Sequence, residues 1–103
     1  MALHLPPPDY RGDPLKGQAR FQEYCAGCHG SAATGSRQGP PLLDRIYSPS
    51  HHADLAFHMA VRDGVRAHHW KFGDMPPVAG ITPEATQDIV AWVRKEQRRV
   101  GIQ

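Results

Sequence analysis

Cys25-Ala26-Gly27-Cys28-His29 places two thiols three positions apart with an imidazole directly behind them. This C-x-x-C-H spacing is the attachment pattern of a c-type haem. Two thiols so spaced can add to the two vinyl groups on one edge of a porphyrin. The imidazole of the next residue then turns under the ring to bind iron, so covalent attachment and axial ligation come from a single pentapeptide. Other uses of paired cysteines lack their surroundings here. A redox dithiol of the thioredoxin type needs a βαβ setting, and a zinc site needs a second ligand pair of matching spacing. The chain has no other cysteines, so no disulfide framework can staple its fold.

Histidines supply the remaining candidates. There are seven, at positions 4, 29, 51, 52, 58, 68 and 69. His51 and His58 are seven apart and His58 lies four beyond Asp54, so on a helix all three share a face with metal-ligand spacing. A surface copper or zinc site is one reading; a solvated polar face with an ordinary Asp-His pair is the plainer one. His68 and His69 precede Met75 by six or seven residues. If that loop moved they would reach the iron, and a carrier would become a sensor or a peroxidase; a static pair of ligands is the expected state.

The elements that must hold these groups are helices. Pro6, Pro7, Pro8 and Gly12 give residues 1–12 the character of an extended arm, and the domain proper runs over 13–103. Asp13-Pro14 is a helix start, a capping side chain followed by proline at the first helical position, and Leu15 to Tyr24 continues it with Gly17 and Phe21 on one face. From Gly27 to Pro41 the run of Gly, Ser, Ala, Thr and Pro reads as a loop. His51 to Asp63 reads as a helix closed by Gly64, with Leu55 and Met59 one turn apart in its apolar stripe. Val65 to Gly80 is irregular again. Thr82-Pro83-Glu84 opens the last helix, whose stripe is Ala85, Ile89, Trp92, Val93 and Glu96, while Arg94, Lys95, Arg98 and Arg99 crowd its C-terminal end, where cations complement the dipole. The expectation is an all-α domain of three main helices and two chemistry-bearing loops, without repeats or strands.

Composition narrows the function. A length of 103 residues makes one domain with a modest core, and a formal net charge of +2 is too mild for a nucleic-acid binder without a concentrated basic stripe. No run approaches the roughly 18 apolar residues of a membrane span. The first eight residues lack the basic start and apolar stretch of a secretory leader, so a removed leader or a parent chain is assumed. With only eight per cent aromatic residues, a buried prosthetic group would complete the core, and the chain without it should be largely unfolded.

Across residues 13 to 99 the chain resembles class I cytochrome c. In that family a helix leads into C-x-x-C-H, as Leu15 to Tyr24 does, and a Gly-Pro-x-Leu segment follows, as Gly39-Pro40-Pro41-Leu42 does. The resemblance implies that the Pro40 carbonyl accepts a hydrogen bond from the second nitrogen of His29, fixing its tautomer, and that Leu42 joins the residues around the cofactor. It also implies a distal methionine in a Pro-rich loop before the last helix. Gly73-Asp74-Met75-Pro76-Pro77 fits that place, whereas Met59 sits in a helix stripe as core filler. Trp92 matches the aromatic that crosses the first helix at a glycine and an aromatic, here Gly17 and Phe21.

The function so implied is a single-electron carrier, not an enzyme, with one covalent haem c whose iron is bound by His29 and Met75. His/Met ligation implies a reduction potential well above zero. Its partners would be redox proteins, and the chain would be a monomer; Arg62, Arg66 and Lys71 read equally as a surface that steers an acidic docking partner and as an ordinary solvated face, and Trp70 beside them as packed on the haem edge or as part of a docking patch. Haem attachment outside the cytoplasm points to the periplasm of a bacterium and to a respiratory or periplasmic chain. Two alternatives are a haem sensor or peroxidase with an open or switchable sixth ligand, and a copper-handling redox protein using the His51–His58 helix.

Overall fold

Two capped starts frame the protein. In the computed structural model the Asp13 carboxylate accepts from the Leu15 amide at 2.9 Å ahead of Pro14, and the Thr82 hydroxyl accepts from the Ala85 amide at 3.0 Å ahead of Pro83. Both satisfy amides that a first helical turn leaves without partners. The structure describes residues 5–7, 9–35, 39, 41–44, 47–48, 54–65 and 75–102. Within these lie α1 (Pro14–Tyr24), α2 (Ala26–His29), α3 (Asp54–Asp63) and α4 (Pro83–Arg99). The chain is all-α, and an isolated antiparallel bridge between Val65 and Met75 is the only strand-type pairing among the described residues.

α1 crosses α4 at its buried face. Gly17 and Phe21 meet α4 there, with the Phe21 and Trp92 rings 4.8 Å apart and tilted by 42°. Gly17 is obligatory at the crossing, since a Cβ there would lie 1.8 Å from the Asp88 carbonyl oxygen. The two backbones touch, and only glycine permits it. Around this crossing the core gathers Ala33, Leu42, Val61, Ile81, Ile89 and Val93.

The segment before α1 is fastened to the same helix. The Tyr10 hydroxyl donates to Asp88 Oδ1 at 2.6 Å and the Asp13 amide to the same oxygen at 2.7 Å. The hydrogen bond to Asp88 pushes the Tyr10 phenol up to about 12, with further contributions from burial and the negative charge of Asp88.

Several sequence expectations change. Gly27 to His29 do not begin a loop. The His29 amide donates to Cys25 O at 2.9 Å and the Gly30 amide to Ala26 O at 2.9 Å, so a further helical turn, α2, follows α1 and ends at Gly30, whose φ is +83°. Local hydrogen bonding there outweighs the weak propensity of glycine. The middle helix is described only from Asp54, so His51 to Ala53 of the expected element lie outside the described residues. Its inward face is His58 and Val61, while Leu55 and Met59 are 44% and 41% exposed. Met59 is therefore not core filler. α3 is turned by the polar contacts it makes with α4, which Leu and Met cannot supply.

Arg94, one of the cations near the end of α4, is buried, 6% exposed. Its Nε donates to Asp54 Oδ1 at 2.9 Å and its Nη1 to Gln97 Oε1 at 2.8 Å and to the Tyr47 carbonyl, and its guanidinium lies over the Phe57 ring at 4.9 Å. Gln97, fully buried, donates to the carbonyls of Leu42 at 3.0 Å and Tyr47 at 2.9 Å. One polar cluster thus ties α4 to α3 and to the loop carrying Leu42. A planar guanidinium and an amide fit because several buried carbonyls there need donors.

Candidate functional site

The junction of α1 and α2 positions the reactive residues. Cys25 ends α1, its amide donating to Phe21 O at 2.8 Å, and its carbonyl accepts from both the Cys28 amide at 3.2 Å and the His29 amide at 2.9 Å. These bonds wind Cys25, Cys28 and His29 into one turn. The result is three different environments within five residues: Cys25 is half-buried, Cys28 exposed and His29 buried. Burial, and secondarily the neighbouring Cys28, pushes the Cys25 thiol up to about 11, so it stays protonated at neutral pH. Cys25 and Cys28 are not joined to each other.

The loop after α2 folds back over this turn. The Gly35 amide donates to His29 O at 2.7 Å and the Gln22 side chain to Ser31 O at 2.6 Å. Ala33 is fully buried and adopts a positive φ of 60°, unusual for a residue with a side chain. Its carbonyl accepts from the Leu42 amide at 2.8 Å and from the Leu43 amide at 3.2 Å. Those bonds and the burial of its methyl group hold the strain. They also bring Leu42, 8% exposed, into the cluster against which Tyr24, Cys25 and Ala26 pack.

Gly39 comes closer still. A Cβ at this position would lie 2.8 Å from Cys28 O and 3.1 Å from Cys28 Cβ, so the backbone rests directly on the second cysteine, a residue that is nonetheless exposed. Neither Gly39 nor Ala33 was singled out from the sequence as a site residue. A glycine opening the Gly39–Leu42 segment was the signal for the first; nothing local marks the second.

Met75 is tied by its backbone to the residue just past the end of α3. It exchanges both backbone hydrogen bonds with Val65, Val65 N to Met75 O at 2.8 Å and Met75 N to Val65 O at 2.7 Å, and its side chain is half-buried. Of the other residues the sequence brings forward, Pro40, Arg66, His68, His69, Trp70 and Lys71 lie outside the described residues, as do His4, His51 and His52.

Of the three residues of the candidate metal face on the middle helix, His51 lies outside the described residues and the other two are engaged elsewhere. His58 is buried, 2% exposed, with its Nε2 at 2.7 Å from Gln87 Oε1, and Asp54 is engaged by Arg94. The two turn into different contacts with α4 because each finds a polar partner there. Among the described residues no group of three His, Cys, Asp or Glu side chains is placed to hold a metal ion.

The residues present suit a covalently held haem. Two thiols and an imidazole share one turn, Cys28 is exposed against the glycine backbone at position 39, and an apolar cluster stands beside them. Thiols, imidazole and thioether are the donor types that attach haem and bind its iron.

Comparison with known proteins agrees with this chemistry. The family described as Cytochrome c matches residues 15–97. No curated protein matched the chain. None of the described helices is long and apolar enough to cross a membrane.

Proposed function

Since the chain belongs to the cytochrome c family and so carries covalently attached haem c with its iron, we propose that it is a one-electron carrier with His29 and Met75 as axial ligands. Cys25 and Cys28 are the proposed attachment points, and Pro40 and Leu42 the proposed flanking residues. When bound, the haem supplies a reversible one-electron change at iron. The chain's own residues have then to hold the ligands still in both oxidation states, so that little rearrangement accompanies electron transfer.

The observation that carries this reading is the placement of His29. Its ring is buried, its amide and carbonyl are both hydrogen-bonded, and the two thiols stand within the same turn. A histidine whose backbone is so fixed cannot be carried away from the two thiols without unwinding α2. On the other side, the Met75 backbone is held by Val65, and a thioether, being a weak donor, favours ferrous iron and raises the potential. Leu42 keeps water from the same cluster. A saturated, six-coordinate iron supports transfer of electrons in preference to chemistry on a substrate. Redox proteins with acidic docking surfaces in a periplasmic or respiratory chain are the proposed partners, and the monomer the proposed state.

The test is an absorption spectrum of the holoprotein, oxidised and reduced, including the weak band toward the red that reports iron bound to methionine sulfur. That band is expected in the wild type, retained in Met59→Ala and abolished in Met75→Ala. A wild type without it, whose reduced form binds carbon monoxide readily, would exclude the carrier reading.

A further inference from the structure

The end of α3 does more than stop a helix. Gly64 donates its amide to Ala60 O at 2.8 Å and turns the chain with a φ of +76°. The next residue, Val65, exchanges both backbone hydrogen bonds with Met75, and the carbonyl of Val61 accepts the amide of Val78 at 2.8 Å. Pro76 and Pro77, between these two attachments, have no amide hydrogen to give. The backbone is therefore fastened at Met75 itself and again three residues beyond it, to Val65 just past α3 and to Val61 in the last turn of α3.

Glycine makes this approach feasible. A Cβ on Gly64 would lie 2.4 Å from the Met75 carbonyl oxygen and 3.1 Å from both the nitrogen and Cδ of Pro77. The contact is to backbone and to a rigid ring, neither of which can swing aside. Any side chain at position 64 must move the Met75 segment.

We propose that Gly64 and Val65 are positioning residues for the Met75 thioether, holding its backbone where the sulfur meets the iron; this rests on Met75 being the distal ligand. The physical reason is the weakness of the bond they serve. A thioether competes poorly with imidazole or other nitrogen donors in solution, so its hold on the sixth position comes from its effective concentration there. A backbone pinned at the residue itself and again three residues beyond it supplies that concentration by reducing the conformations in which the sulfur points elsewhere.

Gly80 provides the control. Its φ is +79°, nearly that of Gly64, yet a Cβ there would meet nothing within 4 Å. Alanine at either position suffers the same left-handed backbone penalty, but only at position 64 does it strike Met75. The experiment titrates the ferric holoprotein with imidazole, following loss of the iron-to-sulfur band, in wild type, Gly64→Ala, Gly80→Ala and Met75→Ala. In Gly64→Ala imidazole should displace the native ligand at about ten-fold lower concentration, equivalent to about 1.4 kcal/mol. In Gly80→Ala the displacement should stay within about two-fold of wild type, because strain without contact leaves the sulfur in place.

Equal shifts in the two glycine variants, or no shift in Gly64→Ala, overturn the proposal. A Met75→Ala protein that keeps the band and the wild-type imidazole affinity shows instead that the ligand assignment is wrong. Should Gly64→Ala fail to accumulate as holoprotein, amide hydrogen exchange on the wild type decides. The Val65 and Met75 amides should be protected and lose protection when imidazole saturates the iron. Fast exchange at both before imidazole is added rules the clamp out.

Discussion

Replacing Gly17 by alanine should destabilise the protein, although alanine is the better helix former. The Cβ that the substitution adds would stand 1.8 Å from the Asp88 carbonyl oxygen, 2.4 Å from its carbon and 2.9 Å from the Ile89 nitrogen. Ordinary contact begins near 3.4 Å, and both partners are helix backbone, so α1 and α4 must part by roughly 1 Å or more. A gap of about 0.5–1 Å forfeits a quarter to a half of the dispersion attraction across it. The side chains that face each other there, Phe21, Ile89 and Trp92, are 0%, 5% and 5% exposed. With burial worth about 1.5–3 kcal/mol for each, the loss comes to about 2–4 kcal/mol. Better helix propensity returns about 1 kcal/mol, leaving a net loss of about 1–3 kcal/mol. Against a total stability of about 5–15 kcal/mol this is a large fraction. Equilibrium unfolding of the holoprotein in guanidinium chloride, followed by far-ultraviolet circular dichroism, measures it as a lower midpoint at unchanged slope. Gly27→Ala is the matched control, since a Cβ there meets nothing within 4 Å and should leave stability equal or higher. A Gly17→Ala protein as stable as the wild type would refute the close crossing of the two helices.

Three further outcomes can be checked. Gln97→Leu keeps the volume but removes the donor to the Leu42 and Tyr47 carbonyls, and should cost about 1–3 kcal/mol in the same unfolding assay. The Tyr10 phenol is raised from 10.0 to about 12 in the folded state, so its contribution is whole below pH 10 and is lost as the pH climbs toward 12. Unfolding midpoints of wild type and Tyr10→Phe should accordingly differ by a constant amount below pH 10 and converge above it. Replacing both Cys25 and Cys28 by alanine should let acid-organic extraction remove all haem, which either single variant retains in part. The chain left without haem should lose most of its helical circular dichroism, because the core around Phe21 and Trp92 relies on the group for its completion.

Much of the site is legible along the chain because its chemistry is local. C-x-x-C-H works through five consecutive residues, and Asp13-Pro14 and Thr82-Pro83 announce their helices through contacts no more than a few residues long. Spacing puts Gly17 and Phe21 on one face of α1, while their meeting with Trp92 is what the resemblance to class I cytochrome c implies. Arg94 and His58 could not be read in this way. Each lies on a helix where periodicity permits exposure, and each is buried because a carbonyl, an amide or a carboxylate from a distant segment meets it: Tyr47 and Asp54 for Arg94, Gln87 for His58. Hydrophobic spacing says which side of a helix is apolar, but not which polar groups lie opposite. Leu55 and Met59 show the converse, an apolar pair left exposed because α3 is oriented by those polar bonds. The same holds for Gly64, whose place after α3 marks a helix end in the sequence. Its second duty, leaving room for the Met75 carbonyl, exists only because the fold returns residue 75 to residue 65. Residue types and short spacings determined the chemistry of this protein; tertiary structure decided which groups are shielded from water and which backbones touch, since both depend on chain segments far apart in sequence.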